Sequence, residues 1–149
     1  MKKLLTVLLM SFFLYGTLVG CAGFQIGDNP NSQALGYVSG KGMGLAINKL
    51  APKSAPTLEA NWKSMMDRNA ALDPIPGSEI ILYFNQSVLV LVDEVKDPYG
   101  LLGDLAALLT IYGAEFAADG QMLSVGDIPK SVANYFQLGY SSGKQLALK

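Results

Sequence analysis

Apolar residues recur along this chain in five segments that prolines and polar turns separate. Proline lacks the amide hydrogen that a helix interior requires and disfavours helix at the residue before it, so the prolines mark segment boundaries. Within the segments, apolar positions fall mainly three and four residues apart, which is typical of helices with a buried face. We therefore predict an all-α fold, a single small bundle of about five helices over 33–50, 57–72, 78–96, 99–118 and 128–148.

The third of these segments has two interpretations. Ile80, Phe84, Val88 and Leu91 are spaced three and four apart, which predicts a largely buried helix. The β-branched run at 88–92 and the polar residues just before it would also suit two strands joined by a turn. We favour the helix and keep an α+β fold, with a hairpin at about 79–95, as the alternative.

The last two segments differ in character. The fourth is apolar on almost every side and long enough to cross a membrane, but Asp104 and Glu115 would then lie in hydrocarbon at a cost of about 3 kcal/mol each. We therefore predict a core helix there. The fifth begins with Asp127 as a predicted N-cap and Pro129 in the first turn.

The N-terminus has the pattern of a secretory signal peptide. Two lysines precede an apolar run at 4–15, and small residues follow it. The next residues, Leu18-Val19-Gly20-Cys21, resemble the lipobox of bacterial lipoproteins. In that family the cysteine is joined to diacylglycerol, the signal is cut before it, and the new amine is acylated, typically with palmitate. The resemblance covers only this part of the chain and implies that Cys21, the sole cysteine, is a lipid attachment point.

Lipidation implies a protein anchored to a membrane and not one that spans it. Ala22 follows the cysteine. In the enterobacterial sorting pattern, a residue other than aspartate directly after the cysteine favours the periplasmic face of the outer membrane over the inner membrane. The predicted organisation is a signal peptide at 1–20, the lipidated cysteine with a flexible tether at 21–32, and a helical domain at 33–149.

A repeated heptapeptide is the most unusual feature of the sequence. The residues at 35–41, LGYVSGK, recur at 138–144 as LGYSSGK, and both copies lie in predicted helices. Residues four apart share one face of a helix. The predicted packing or interface residues are therefore Gly36, Gly40 and Gly44 in the first copy, Gly139, Gly143 and Ala147 in the second, and the neighbouring Tyr37 and Tyr140.

Glycine inside a helix costs up to about 1 kcal/mol relative to alanine, so such a face needs a closely packed partner. We favour a crossing of the first and last helices of the domain at the glycines. The alternatives are an interface with a second copy or with an envelope protein, and membrane insertion as a glycine zipper. Each tyrosine precedes a lysine by four residues, Lys41 or Lys144, which would set an aromatic ring beside an ammonium group.

Composition excludes several kinds of chemistry. The chain has no histidine, which excludes an imidazole base and histidine metal ligands. Without the signal peptide, nine basic residues face twelve acidic ones, so we expect neither a nucleic-acid partner nor a polybasic membrane-binding patch. Neither Gly-Lys pair matches a phosphate-binding loop, and no serine lies in a nucleophile elbow.

Carboxylates cluster only at Asp93, Glu94 and Asp97. A divalent cation is conceivable there, but a solvated helix end is the favoured interpretation. We therefore assign no catalytic residue, no metal site and no cofactor.

The leading functional hypothesis is a lipid-anchored, non-enzymatic structural or accessory component of the bacterial envelope that acts through protein contacts on its small-residue helix face. The alternatives are a module that binds a small ligand or lipid in a cavity of the apolar segments, and a membrane-active glycine-zipper protein.

Overall fold

The structure is a computed structural model that describes residues 27–118 and 120–149. The predicted signal peptide, the lipobox-like residues at 18–21 and the predicted lipid attachment at Cys21 lie outside the described residues. The predicted all-α bundle is confirmed, with five helices of nine residues or more and one two-stranded hairpin in the described part of the chain. In chain order the elements are α1 (Pro30–Leu50), α2 (Ala55–Arg68), α3 (Gly77–Leu91), the single turn α4 (Pro98–Leu101), α5 (Gly103–Ile111), β1 (Glu115–Phe116), β2 (Met122–Ser124) and α6 (Lys130–Ala147).

The first helix begins earlier than predicted. Asn29 is its N-cap and accepts a hydrogen bond from the Ser32 amide at 3.0 Å, and Pro30 occupies the first turn. Ser32 is fully buried. The last residues of the predicted tether are therefore part of the folded domain, because a capping asparagine and a proline extend the helix by three residues before Gln33.

The third segment forms α3, so the alternative hairpin at 79–95 is wrong. Its buried side chains include Ile80, Phe84, Val88 and Leu91, the positions that the three-and-four spacing placed on one face. The polar residues in the middle do not break the helix, since Ser87 donates its hydroxyl hydrogen to the Tyr83 carbonyl at 2.7 Å.

The fourth segment is not one long helix. It is divided into α4 and α5 and ends at Ile111, because Gly113 adopts a left-handed φ of 78°. The amides of Gly113 and Ala114 donate to the carbonyls of Thr110 and Leu109, which is a Schellman cap. The chain then forms the antiparallel pair β1 and β2, whose register shifts within β1.

Distant carboxylates cap the starts of α3 and α6. The prediction that Asp127 caps the last helix is wrong. Asp127 accepts from the amide of Gly77 at the start of α3, at 2.9 Å, and Asp73 accepts from the amide of Lys130 at the start of α6, at 3.0 Å. The loops that precede α3 and α6 are paired, because Ile75 and Ile128 exchange backbone hydrogen bonds. Each loop therefore places its aspartate at the start of the other loop's helix.

Aromatic residues from three helices meet in the core. The ring centroid of Trp62 on α2 lies 5.0 Å from that of Tyr83 on α3 and 4.7 Å from that of Phe136 on α6. All three side chains are buried. This cluster holds α2 and α3 against one side of α6, while α1 covers another side.

Candidate functional site

The most extensive contact in the domain joins α1 to α6. Glycines of α1 lie against the backbone of α6 at three successive turns, and the residue numbers rise together along both helices, so the two helices are parallel. The facing pairs are Gly36 with Val132, Gly40 with Phe136, and Gly44 with Tyr140.

Both copies of the heptapeptide take part in this contact. A β-carbon at Gly36 would lie 2.7 Å from the Val132 carbonyl oxygen, and one at Gly40 or Gly44 would lie closer still to the carbonyl it faces. From the other side, Gly139 faces the Tyr37 carbonyl and Gly143 faces the Lys41 carbonyl. Glycine is therefore required at all five positions by the approach of the other backbone.

The two copies are not related by symmetry. Gly40 faces the carbonyl of Phe136, whereas its equivalent, Gly143, faces that of Lys41. The helices are staggered, so that glycines of each helix alternate with glycines of the other along a single seam. This spacing lets α-carbon hydrogens point at carbonyl oxygens, a contact that recurs where helices pack closely.

The packing of α1 against α6 within one chain explains why glycine occupies these positions. Gly36, Gly40 and Gly44 are buried under α6, so this face is not open to a partner, to a second copy or to lipid in this structure. None of the helices in the described residues is long and apolar enough to span a membrane.

The other predicted residues of this set surround the seam. Tyr140 is buried, and Asn48 donates an amide hydrogen to its hydroxyl at 3.5 Å. Burial and the charge of Glu59 raise the pKa of Tyr140, the hydrogen bond from Asn48 lowers it, and the net result is a pKa raised to about 12. Ala147 is half-buried in the last turn of α6. The ammonium of Lys144 pairs with Glu59 on α2.

The side of the helix pair that points away from the core is apolar and accessible. Val38 is 48% exposed, Leu138 is 59% exposed and Leu146 is 42% exposed. At 3.6 residues per turn, Leu138 and Leu146 lie beside the seam on its solvent side, whereas Val38, two residues from both Gly36 and Gly40, points away from the seam. We define the outer face as the exposed or half-buried residues that flank the seam on its solvent side, which are Tyr37, Lys41 and Leu45 of α1 and Tyr135, Leu138, Ser142 and Leu146 of α6.

Sequence reasoning missed this outer face. It identified the glycines but could not tell which apolar neighbours would remain exposed, because that depends on where the rest of the bundle packs. The signal available in the sequence is that neither 30–50 nor 130–147 contains an acidic residue.

The interior offers no room for a ligand in the part of the chain that is described. The two best-formed cavities measure about 20 and about 10 Å³, which is space for one water molecule at most. Trp62, Tyr83 and Phe136 line both cavities. Ligand pockets are usually at least about 300 Å³. The expectation that the apolar segments line a binding cavity therefore has no support from these residues.

Two of the three clustered carboxylates act as helix caps. Oε1 of Glu94 accepts from the Lys53 amide at 3.1 Å, and Oε2 accepts from the Ser54 amide at 2.8 Å and from the Ser54 hydroxyl at 2.7 Å. Burial raises the pKa of Glu94, but these hydrogen bonds outweigh it and the pKa is lowered. Asp97 accepts from the Gly100 amide at 2.8 Å. Within the described residues, no three acidic or cysteine side chains are grouped to hold a metal ion.

Comparison with known proteins gives no relative for this chain. No family model, no curated protein and no solved structure matches it.

Proposed function

We propose that this chain is a bacterial lipoprotein, anchored by lipid on Cys21, that serves as a non-enzymatic structural or accessory component of the cell envelope. The observation that carries the proposal is the lipobox at 18–21, which holds the sole cysteine directly after a basic and apolar leader. The residue after the cysteine favours the periplasmic face of the outer membrane over the inner membrane.

A structural role is supported by what the ionisable residues do. Asp73, Glu94 and Asp127 each cap the start of a helix, and Glu59 pairs with Lys144. These charged groups hold the domain together and are not gathered around a cavity. A helical bundle of this kind acts through its surface, which makes protein contacts the natural mode of action.

The glycine seam is used within the domain, so the protein contacts require a different surface from the small-residue face. Leu82 and Leu89 lie on the solvent side of α3, Val92 directly follows the helix and is also exposed, and Leu89 is 71% exposed. Leu82 and Leu89 are seven residues apart and therefore share one line along the helix. This α3 stripe is the surface that we assign to an envelope protein partner.

Two measurements test the proposal. Metabolic labelling with a tagged palmitate should label the wild-type protein and not the Cys21→Ser variant, which should also remain unprocessed. A photo-crosslinking residue at Leu89 should capture an envelope protein in cells, whereas the same residue at Lys63, an exposed position of α2, should not. Processing and membrane retention of Cys21→Ser without change would contradict lipidation, and equal crosslinking at both positions would contradict the α3 stripe.

A further inference from the structure

The outer face of α1 and α6 combines exposed apolar side chains with an unusual distribution of charge. Helices α1 and α6 contain four lysines and no acidic residue. The 51–129 segment between them contains eleven acidic and four basic residues. The mild negative net charge is therefore unevenly distributed, because the acidic residues lie in the segment between α1 and α6 and not in these two helices.

The lysines of α1 are the ones available at this surface. Lys41 lies within the outer face, and Lys49 is exposed one turn beyond it. The lysines of α6 face the rest of the bundle, since Lys144 pairs with Glu59 and Lys130 donates to the Ala70 carbonyl. The carboxylate just before α1, Asp28, accepts hydrogen bonds from Gln33 and Ser131 at the opposite end of the helix pair from Lys49.

We propose that the outer face rests on the surface of a bilayer that contains anionic lipid. Apolar side chains such as Leu45, Leu138 and Leu146 would enter the boundary between headgroups and acyl chains, and the ammonium groups of Lys41 and Lys49 would contact lipid phosphates. Long lysine side chains suit this position because their stems lie along apolar surface while the charge reaches the headgroups.

The proposal rests on the proposed anchoring at Cys21, which places this face close to the membrane. Cys21 precedes Pro30 by nine residues, a chain that reaches at most about 30 Å, and α1 has a similar length. Two lysines and a few apolar side chains give only weak binding in free solution. A tether changes this, because the lipid anchor makes the second contact effectively intramolecular.

The test uses the full lipidated protein in vesicles. Lipidation consumes the only native thiol, so Leu138→Cys introduces a single site for an environment-sensitive fluorophore, and Leu89→Cys on α3 provides the matched control. Vesicles contain brominated phosphatidylcholine as quencher, with or without phosphatidylglycerol. We expect quenching of the label at residue 138 in the anionic vesicles, several times less quenching without phosphatidylglycerol, and little at residue 89 in either.

Charge variants test the recognition of lipid phosphate. Lys41→Gln with Lys49→Gln should weaken the equilibrium of bilayer contact at residue 138 about thirtyfold. Lys63→Gln on α2 should leave bilayer contact at residue 138 unchanged. If Lys41→Gln perturbs folding because Lys41 lies beside the seam, Lys49→Gln alone still tests the contact. Quenching that is equal in both lipids or insensitive to these lysines would overturn the proposal.

Flotation and labelling separate this proposal from the anchoring itself. Flotation of the protein with vesicles while residue 138 stays unquenched would overturn the lipid contact and leave the anchor standing. Labelling of the parent protein at a free Cys21 would overturn the anchor, and quenching at residue 138 would then still support the outer face. Energy transfer between labels at residue 138 on two copies, without quenching by lipid, would assign the face to self-association and overturn the proposal.

Discussion

The carbonyl oxygen of Phe136 faces the α-carbon of Gly40 with no side chain between them. The same relationship recurs one turn earlier and one turn later along α1, and two glycines of α6 repeat it in the opposite direction. Close approach of two backbones along three turns is therefore the main reason for the repeated heptapeptide. The cost of glycine in both helices is offset by packing that a β-carbon at these positions would prevent.

Gly40→Ala should destabilise the domain severely. The added methyl group collides with backbone, which cannot rotate away as a side chain can, so we expect a loss of about 3 kcal/mol in the free energy of unfolding, measured by urea denaturation. Gly103→Ala is the matched control, because a β-carbon at that helical glycine meets nothing within 4 Å. It should be neutral or stabilise by up to about 1 kcal/mol. Equal stability of the two variants would show that α1 and α6 do not pack at the glycines.

Glu94→Gln should weaken the connection between α2 and α3 and change how stability depends on pH. The pKa of Glu94 is lowered in the folded state, so its contribution is present above the unfolded pKa and disappears as the pH falls through the folded value. Wild-type stability should therefore decline below about pH 4.5, and the decline should be smaller in the variant. Urea denaturation across this pH range measures both, with Asp93→Asn as the control for charge.

Asn85→Asp should release the hairpin from α3 without unfolding the bundle. The Asn85 amide donates to the Met122 carbonyl and accepts from the Met122 amide, both at 3.1 Å. A carboxylate retains the second bond but places an oxygen against the carbonyl, at a cost of about 1–3 kcal/mol. Hydrogen exchange at β2 should accelerate while exchange in α6 does not. Gln86→Glu makes the same chemical change at an exposed neighbour and should have no such effect.

Tyr140→Phe should reduce the loss of stability in alkali. Burial raises the pKa of the Tyr140 hydroxyl to about 12, so its contribution is complete below the unfolded pKa, near 10, and disappears as the pH rises toward the folded value. Wild-type stability should fall by about 2 kcal/mol from this residue alone across that interval. Tyr135→Phe, at a 41% exposed position, should leave the alkaline decline unchanged.

The sequence predicted what depends on spacing along one helix. The all-α fold and the helical third segment follow from apolar periodicity, and the glycine residues were visible as a repeat. The helix caps were not predictable, because Glu94 caps α2 and Asp127 caps α3 across 40 and 50 residues of sequence. A local rule assigns each cap to the nearest helix and so placed Asp127 at the wrong one.

The end of the fourth segment was missed for a different reason. Helix periodicity continues past Ile111, and only the left-handed conformation at Gly113 stops it. A glycine within an apolar segment can continue a helix or end it, and the choice depends on the hairpin that follows. Likewise, exposure of Val38 and Leu138 depends on the position of the bundle and not on their own neighbours in sequence.

The seam joins the first helix of the folded domain to the last one, which has a consequence for biogenesis. Synthesis proceeds from the N-terminus, so Gly36 and Gly40 emerge about 100 residues before Gly139 and Gly143. At a synthesis rate of about 5–20 residues per second, the glycines of α6 are made at least about 5 s after those of α1. During that interval a helix rich in glycine has little intrinsic stability. The nascent chain should therefore stay unfolded until α6 is made, which is the state that the proposed secretion through a narrow channel would require.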